Sequence, residues 1–260
     1  MNNQIINSVW KLGFYIAKKS NGNKYRKYKV RGYEIYLNVS ESLMMFKRAL
    51  GRYEPEKFSA IENFMKRGMT FLDVGANKGD FSLFTGKIVG SSGKVIAFEP
   101  EPGNCGWIRK SIQINQLSNI ILMEIALSNE DGEKELYLGK KSGWHTLVKG
   151  AKNRSERKIN IRTQKLDSLF DSLNLSCVDA MKIDVEGAEY EVILGGENLI
   201  QKFRPTIFMD LHPELGVDVS EIYEFFKRRN FVLSPMNNPE LYLDKLEPVS
   251  QEIIIRPLKL

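Results

Sequence analysis

The spacing of apolar and polar positions changes period several times along the chain, and each change marks a predicted element. In residues 4 to 18, Ile5, Val9, Leu12 and Ile16 recur at helical spacing, with Trp10 and Phe14 nearby, which predicts an amphipathic helix. Tyr28 to Asn38 reads as a hairpin turning at Arg31-Gly32. Pro55, suited to a first helical position, opens a helix that runs to about Arg67 and stops at Gly68.

From Thr70 short apolar runs alternate with helical stretches. Strands are expected at 70–74, 94–98, 120–125, 178–184, 206–211 and 231–233. Helices are expected at 80–89, 103–115, 189–202 (broken at Gly195-Gly196) and 220–229. Apolar strands separated by helices predict an α/β chain whose doubly wound, mostly parallel sheet is covered on both faces. Residues 251–255 follow the preceding strand with no helix between, so the seventh strand should close an antiparallel terminal hairpin. Strands near 133–138 and 158–163, with a polar loop between them, make residues 128–164 an insertion. Residues 1–54 are expected to form a helix-hairpin cap and residues 55–260 the main domain.

Composition and charge exclude more than they assign. A chain of 260 residues, 42% apolar and 27% charged, can bury one sizeable core and is neither fibrous nor disordered. No apolar run is long enough to cross a bilayer, and Met1 to Lys19 lacks the pattern of a secretion signal, so a cytoplasmic setting is expected. Cys105 and Cys177 have neither metal-binding spacing nor a disulfide framework, and no metal is expected. The net charge of +6 favours an acidic partner. Basic residues gather between Lys18 and Arg31, and again at Lys149, Lys152, Arg154, Arg157 and Lys158.

The segment richest in chemistry is Phe71-Leu72-Asp73-Val74-Gly75-Ala76-Asn77-Lys78-Gly79, a strand that ends in a glycine turn and feeds a helix. Ligands of open parallel sheets bind at such strand tips, where strand order reverses. A dinucleotide fingerprint needs a middle glycine so that pyrophosphate can meet bare backbone, and this run lacks it. A phosphate-free nucleoside with a cationic sulfur and an amino-acid tail, S-adenosylmethionine, suits the turn better. Asp73 can face its ammonium group, directly or through water. Glu99 at the next strand tip can accept both ribose hydroxyls. Ala126 and Leu127 at the third tip can contact adenine, with Ser128 as a hydrogen-bonding partner. The expected cofactor set is therefore Asp73, Gly75, Ala76, Asn77, Gly79, Phe81, Glu99, Pro100, Ala126, Leu127, Ser128 and Asp184.

Four strings occur in order: Asp73-Val-Gly-Ala-Asn-Lys-Gly79, Ala97-Phe-Glu-Pro-Glu-Pro102, Lys182-Ile-Asp-Val-Glu-Gly-Ala-Glu189 and Leu211-His-Pro-Glu214. Together they resemble the FkbM family of class I methyltransferases, and Gly51-Arg-Tyr-Glu-Pro-Glu56 fits it too. The likeness spans roughly Tyr33 to Glu214, leaving out the first helix and the basic stretch after it. It implies a seven-stranded methyltransferase sheet and O-methylation, often of sugar or polyketide hydroxyls. One departure is Asp210-Leu211-His212, where the family commonly has Glu-x-His.

Methyl transfer to an alcohol needs an aligned acceptor and a base. Asp184, Glu186, Asp210 and His212 are expected at the ends of the fourth and fifth strands, beside the reacting sulfur. His212 is the first candidate, because an ordinary imidazole titrates near neutral pH. Glu186 comes next, and Asp184 contacts cofactor or acceptor. Glu186 could instead simply open the following helix, and Asp184, Glu186 and His212 could ligate a divalent cation. Tyr53, Glu54, Trp144 and His145 are candidate acceptor contacts, the last two on a loop in the insertion.

The expected partner is a small-molecule or glycan hydroxyl. Rival readings are an RNA methyltransferase, supported by Tyr25 and Tyr28 among the N-terminal cations, a non-catalytic binding module and a nicotinamide dehydrogenase. The first helix and its basic sequel could hold the chain on an anionic membrane, or the helix could pack on the sheet as a lid.

Overall fold

The computed structural model describes residues 3–139, 143–151, 154–170 and 172–258, with side chains of 3–9 and 154–156 excluded. The expectations for Ser142 and Lys152, and for the side chains of Ile5, Val9 and Arg154, lie outside the described residues.

The chain opens with α1 (Asn3–Asn21), the hairpin β1 (Arg26–Val30) and β2 (Tyr33–Leu37), then α2 (Leu43–Ala49) and α3 (Pro55–Phe64). Next come β3 (Thr70–Val74), α4 (Asp80–Val89), β4 (Lys94–Phe98), α5 (Pro102–Asn115) and β5 (Ile120–Met123). The insertion contributes β6 (Ala126–Leu127), β7 (Gly132–Gly139), β8 (Arg154–Gln164) and α6 (Leu166–Leu169). The remainder is β9 (Ala180–Ile183), α7 (Glu189–Gly195), α8 (Glu197–Phe203), β10 (Thr206–Leu211), a 3₁₀ turn (Pro213–Leu215), α9 (Val219–Lys227), β11 (Phe231–Pro235) and β12 (Gln251–Pro257).

Seven strands form one sheet in the order β11-β12-β10-β9-β3-β4-β5. The run from β10 to β5 is parallel, whereas β12 inserts antiparallel between β10 and β11, which confirms the expected terminal hairpin. Strand alternation separates two apolar layers: Leu72, Val74, Ile96, Phe98, Met181 and Ile183 on one face, Phe71, Val95, Ala180 and Phe208 on the other. The second layer also takes in Tyr33, Ile35 and Leu37 of β2, whose edge is tied to α5 by Glu34 N–H donating to Asn115 Oδ1 (2.8 Å) and Tyr36 N–H to Ser111 Oγ (3.2 Å). The insertion is its own small sheet, β6-β8-β7.

Two local features depart from expectation. Residues 43–49 form α2, which Ser42 caps by accepting the Met45 N–H at 3.2 Å. In α1, Trp10 and Phe14 pack on Phe46 of α2, both with ring centroids 6.3 Å away, and Gly13 lies against the same ring. Leu12 and Ile16 point outward. The stripe that meets the protein is therefore the aromatic one, and the helix rests on α2 instead of lying across the sheet.

Candidate active site

The turn after β3 is shaped by contact as much as by ligand access. Gly75 (φ 76°) passes so close to β9 that a Cβ would stand 2.0 Å from the Asp184 carbonyl oxygen. The N–H groups of Gly75 and Ala76 both donate to the Phe98 carbonyl at 3.0 Å, docking the turn on the end of β4. Asn77 follows with φ 56°, and its N–H donates to Glu99 Oε2 at 2.8 Å. Glu99 Oε1 accepts from the Glu101 N–H (3.0 Å) and Asn104 Nδ2 (3.2 Å). Burial pushes the Glu99 carboxyl up to about 7, against these hydrogen bonds.

Beside this carboxylate opens a cleft that widens into solvent. Gly75, Asn77, Glu99 and Pro100 line one end, and Ile125, Ala126 and Leu127 supply an apolar wall. Asp184, Val185 and Glu186 line the other end, and Gly143, His145 and Leu147 of the insertion complete it. These residues fit S-adenosylmethionine: a fixed buried acceptor for a ribose diol, an apolar slot for adenine, and no glycine pair laid bare for phosphates.

Asp73, Ala76, Gly79, Phe81 and Ser128 are not among the lining residues. Asp73 is fully buried, accepts from Ser82 Oγ at 2.5 Å and lies 3.5 Å from Lys182 Nζ, its neighbour across the β3–β9 ladder. Lys182 thus faces its charge from inside the protein, while Oδ1 has no hydrogen-bond partner among the described residues. Ala76 packs with Ala97 and Ile108, Gly79 caps α4 against Ile108, and Phe81 stacks on Phe58 at 4.3 Å. Ser128 is buried beyond this apolar wall, where its hydroxyl donates to Glu191 (2.8 Å) and accepts from Lys134 (2.9 Å). A Cβ at Gly195 would stand 1.9 Å from the Ser128 carbonyl, so this corner is closed by α7.

The other end of the site is a lattice of charges. Lys57 of α3 is fully buried, with Nζ 2.7 Å from Glu54, 2.6 Å from Asp210 and 3.3 Å from Glu252. Asp210 and Glu252 face each other directly across β10 and β12. The ammonium group bridges that pair of carboxyl groups. Burial works against its charge, but Asp210 and Glu54 hold it protonated. Lys182 donates to the Gly75 carbonyl (2.6 Å) and lies 3.6 Å from Asp184. Despite burial, Lys182 and Lys57 keep Asp184 well below the usual carboxylate range, whereas burial and the nearby Asp184 raise Asp210. Arg48 of α2 pairs with buried Asp80 and stacks on the Tyr53 ring at 3.9 Å.

His212 stands at the rim of this lattice. Its Nδ1 is 2.7 Å from Glu189, a fully buried carboxylate that opens α7. Burial opposes charge on the ring, but the Glu189 hydrogen bond and Asp184 prevail and raise its pKa to about 10. At neutral pH His212 is therefore an imidazolium, not the half-ionised ring that an ordinary value suggests. Ligand atoms of Asp184, Glu186 and His212 lie within 4.8 Å of one another, as do those of Glu54, Asp184 and Asp210. In the second group the Lys57 ammonium already contacts two of the three carboxylates.

The insertion loop spans both ends. Gly143 sits against Asn77 and Met44, Thr146 Oγ1 donates to the Glu186 carbonyl, and Val148 packs on Gly187. His145 reaches the cleft, with Nδ1 accepting the Gly139 N–H at 3.0 Å, whereas Trp144 packs on Gly139. Tyr53 and Glu54 join the charge lattice outside the cleft. Sequence reasoning missed Lys57, Arg48, Lys182 and Glu189 as site residues. Lys182 and Glu189 belong to the most specific string of the resemblance, and that was a signal available for them.

Residues 73–233 match the model of the methyltransferase FkbM domain. The 2-O-methyltransferase NoeI of Sinorhizobium fredii is 25% identical over 204 residues, covering 73% of this chain and 79% of that protein. Methyltransferase sdnD of Sordaria araneosa is 29% identical over 153 residues, covering 48% of this chain but 59% of that protein. The solved structure of the FkbM methyltransferase of Methylobacillus flagellatus KT shares the fold, with a TM-score of 0.50 at 12% identity over 84% of this chain and 54% of that one. The chain belongs to the FkbM family and is an S-adenosylmethionine-dependent methyltransferase.

Proposed function

We propose that the enzyme methylates a hydroxyl oxygen of a sugar, glycan or related small molecule, with His212 as the base that takes the hydroxyl proton. The observation that carries this reading is the buried Glu189 carboxylate holding His212 Nδ1, with Asp184 and Glu186 beside the ring. A base oriented by a third group is the arrangement that activates weak oxygen nucleophiles. The bound cofactor supplies a methyl group on an already activated, positively charged sulfur. Glu99 accepts the ribose hydroxyls, and the wall from Ile125 to Leu127 takes the adenine. Glu54, Asp184, Glu186 and Asp210 offer several carboxylates to a polyhydroxylated acceptor, each able to accept from neighbouring hydroxyls. The relative named as a 2-O-methyltransferase supports oxygen as the acceptor atom.

His212 must lose its proton before it can accept one. The rate should therefore climb about tenfold per pH unit across the neutral range and level off near pH 10. One observation favours a second reading. Asp184 borders the cleft and is already ionised, so as the base it would give a nearly flat profile. A panel of sugars, glycolipids and small alcohols, read by a methyl mass shift, identifies the acceptor. With that acceptor, His212→Ala should keep the heat of cofactor binding and lose about 10² to 10⁴ in rate. Full activity in that variant removes His212 from the role.

A further inference from the structure

We propose that α1 docks the enzyme on an anionic phospholipid surface through an outward stripe of Leu12, Tyr15 and Ile16 set among lysines. A helix lying on a protein normally turns polar residues to solvent. In α1, Trp10, Gly13 and Phe14 meet Phe46, yet Leu12, Tyr15 and Ile16 on the other side are 62%, 55% and 59% exposed. Positions 12, 15 and 16 are neighbours on one helical face, and Lys11, Lys18 and Lys19 around them are exposed. The Lys19 ammonium lies 4.7 Å over the Tyr15 ring. An apolar stripe bordered by lysines is the pattern of a helix lying in a membrane interface.

The charge distribution names the partner's sign. Residues 1–33 contain eight lysines and arginines and no acidic residue, so the other 227 residues carry 30 basic and 32 acidic side chains. The whole positive excess of the chain is therefore concentrated in α1 and the hairpin after it. RNA would meet the cations but has no use for exposed leucine and isoleucine. Tyr25, the aromatic residue best placed to take a base, already stacks on Trp107 at 4.0 Å, with its hydroxyl accepting from Lys78 at 2.9 Å.

The helix is firmly seated. Asn21 Nδ2 donates to the Lys24 carbonyl (2.6 Å) and to Asn38 Oδ1 (3.3 Å), which pins the end of α1 to the hairpin. Phe46 joins it to α2, which also presents Met44 to Gly143 of the loop over the cleft and Arg48 to Asp80 at the start of α4. Docking through α1 therefore holds the cleft one helix away from the bilayer, suited to an acceptor carried there. The docking does not depend on which atom His212 serves.

The test is flotation of the full chain with vesicles of phosphatidylcholine alone or mixed with phosphatidylserine. The expected result is binding to the mixed vesicles alone, weakened by salt. Leu12→Asp with Ile16→Asp should lower partitioning at least tenfold, and Lys18→Glu with Lys19→Glu by a similar factor. Both variants should keep the wild-type heat of cofactor binding, which verifies their fold. No binding to the mixed vesicles overturns the proposal, and so does equal partitioning of wild type and the Leu12/Ile16 variant. Two further outcomes also overturn it: competition by unrelated RNA that binds the Leu12/Ile16 variant equally well, and self-association in sedimentation velocity that this variant abolishes.

Discussion

At the cofactor end of the cleft, Glu99 is held by the N–H groups of Asn77 and Glu101 and by Asn104, all within the strand-helix-strand unit from β3 to the start of α5. In the charge lattice outside the cleft, Lys57 gathers Glu54, Asp210 and Glu252, and His212 leans on Glu189. The first arrangement satisfies a buried charge with backbone and neighbouring groups that local folding delivers. The second satisfies buried charges with one another, across segments that meet only in the finished fold. Losing a member of the first should cost ligand affinity, whereas losing Lys57 from the second should cost the fold, because it strands buried carboxyl groups.

The largest expected effect tests that contrast. Lys57→Met should destabilise the protein by about 3 to 5 kcal/mol in denaturant unfolding, since Asp210 and Glu252 are left facing each other uncompensated. Glu99→Ala should weaken cofactor binding by about 10²-fold or more in calorimetry, through loss of two hydrogen bonds to a charged acceptor, with a much smaller change in stability. If the two variants exchange these signatures, the contrast fails.

Glu189→Gln sharpens it from the charge lattice. A raised imidazole pKa stabilises the fold fully below the unfolded value near 6.5 and loses that contribution as pH rises through about 10. The wild-type melting temperature should therefore fall across that window, and the variant should show a smaller fall. In the same variant the rising limb of the rate should move to lower pH, because the hydrogen bond that sustains the imidazolium is weakened.

At the cofactor end the raised carboxyl acts the other way on binding. With the ionised form accepting the ribose hydroxyls as proposed, affinity should fall by up to about tenfold per pH unit as pH drops below about 7, and the Glu99→Ala variant should lack this dependence. The smallest effect is expected for Ser128→Ala: about 1 kcal/mol of stability from the Glu191–Lys134 network and no change in cofactor affinity.

The same contrast explains what could be read from the chain alone. Strands β3 and β4 and helix α4 fall on their expected residues, because period and glycine turns are local signals. Glu99 was legible as a strand-tip acid, and Gly75 as an obligatory glycine, although its closest constraint is the Asp184 carbonyl from β9. Asp73 shows the limit. A carboxylate at the first strand tip is readable from the chain, but the ion pair it makes with Lys182 of a distant strand is not. Lys57 was invisible for the same reason, since an isolated lysine in a helix looks solvated. His212 was legible as a residue, but its protonation state depends on Glu189, which only the packing of α7 brings to the ring. The exposed side of α1 was misjudged because Leu12/Ile16 and Trp10/Phe14 make two apolar stripes, and spacing cannot choose between them. Helix α2 had a readable start in Ser42 before an apolar run.

Glu54, Asn77 and Glu186 share a backbone feature with wider consequences: each is a non-glycine residue in left-handed conformation, at φ 39°, 56° and 53°. Glycine would relieve about 1 to 2 kcal/mol at such a position. At Asn77 and Glu186 a library enriched for heat resistance alone would accumulate glycine, whereas at Glu54 the loss of the ion pair to buried Lys57 opposes that gain. Glu54 is the place where backbone relief and a buried ion pair pull in opposite directions, and where a consensus-driven redesign of this enzyme should leave the chain alone.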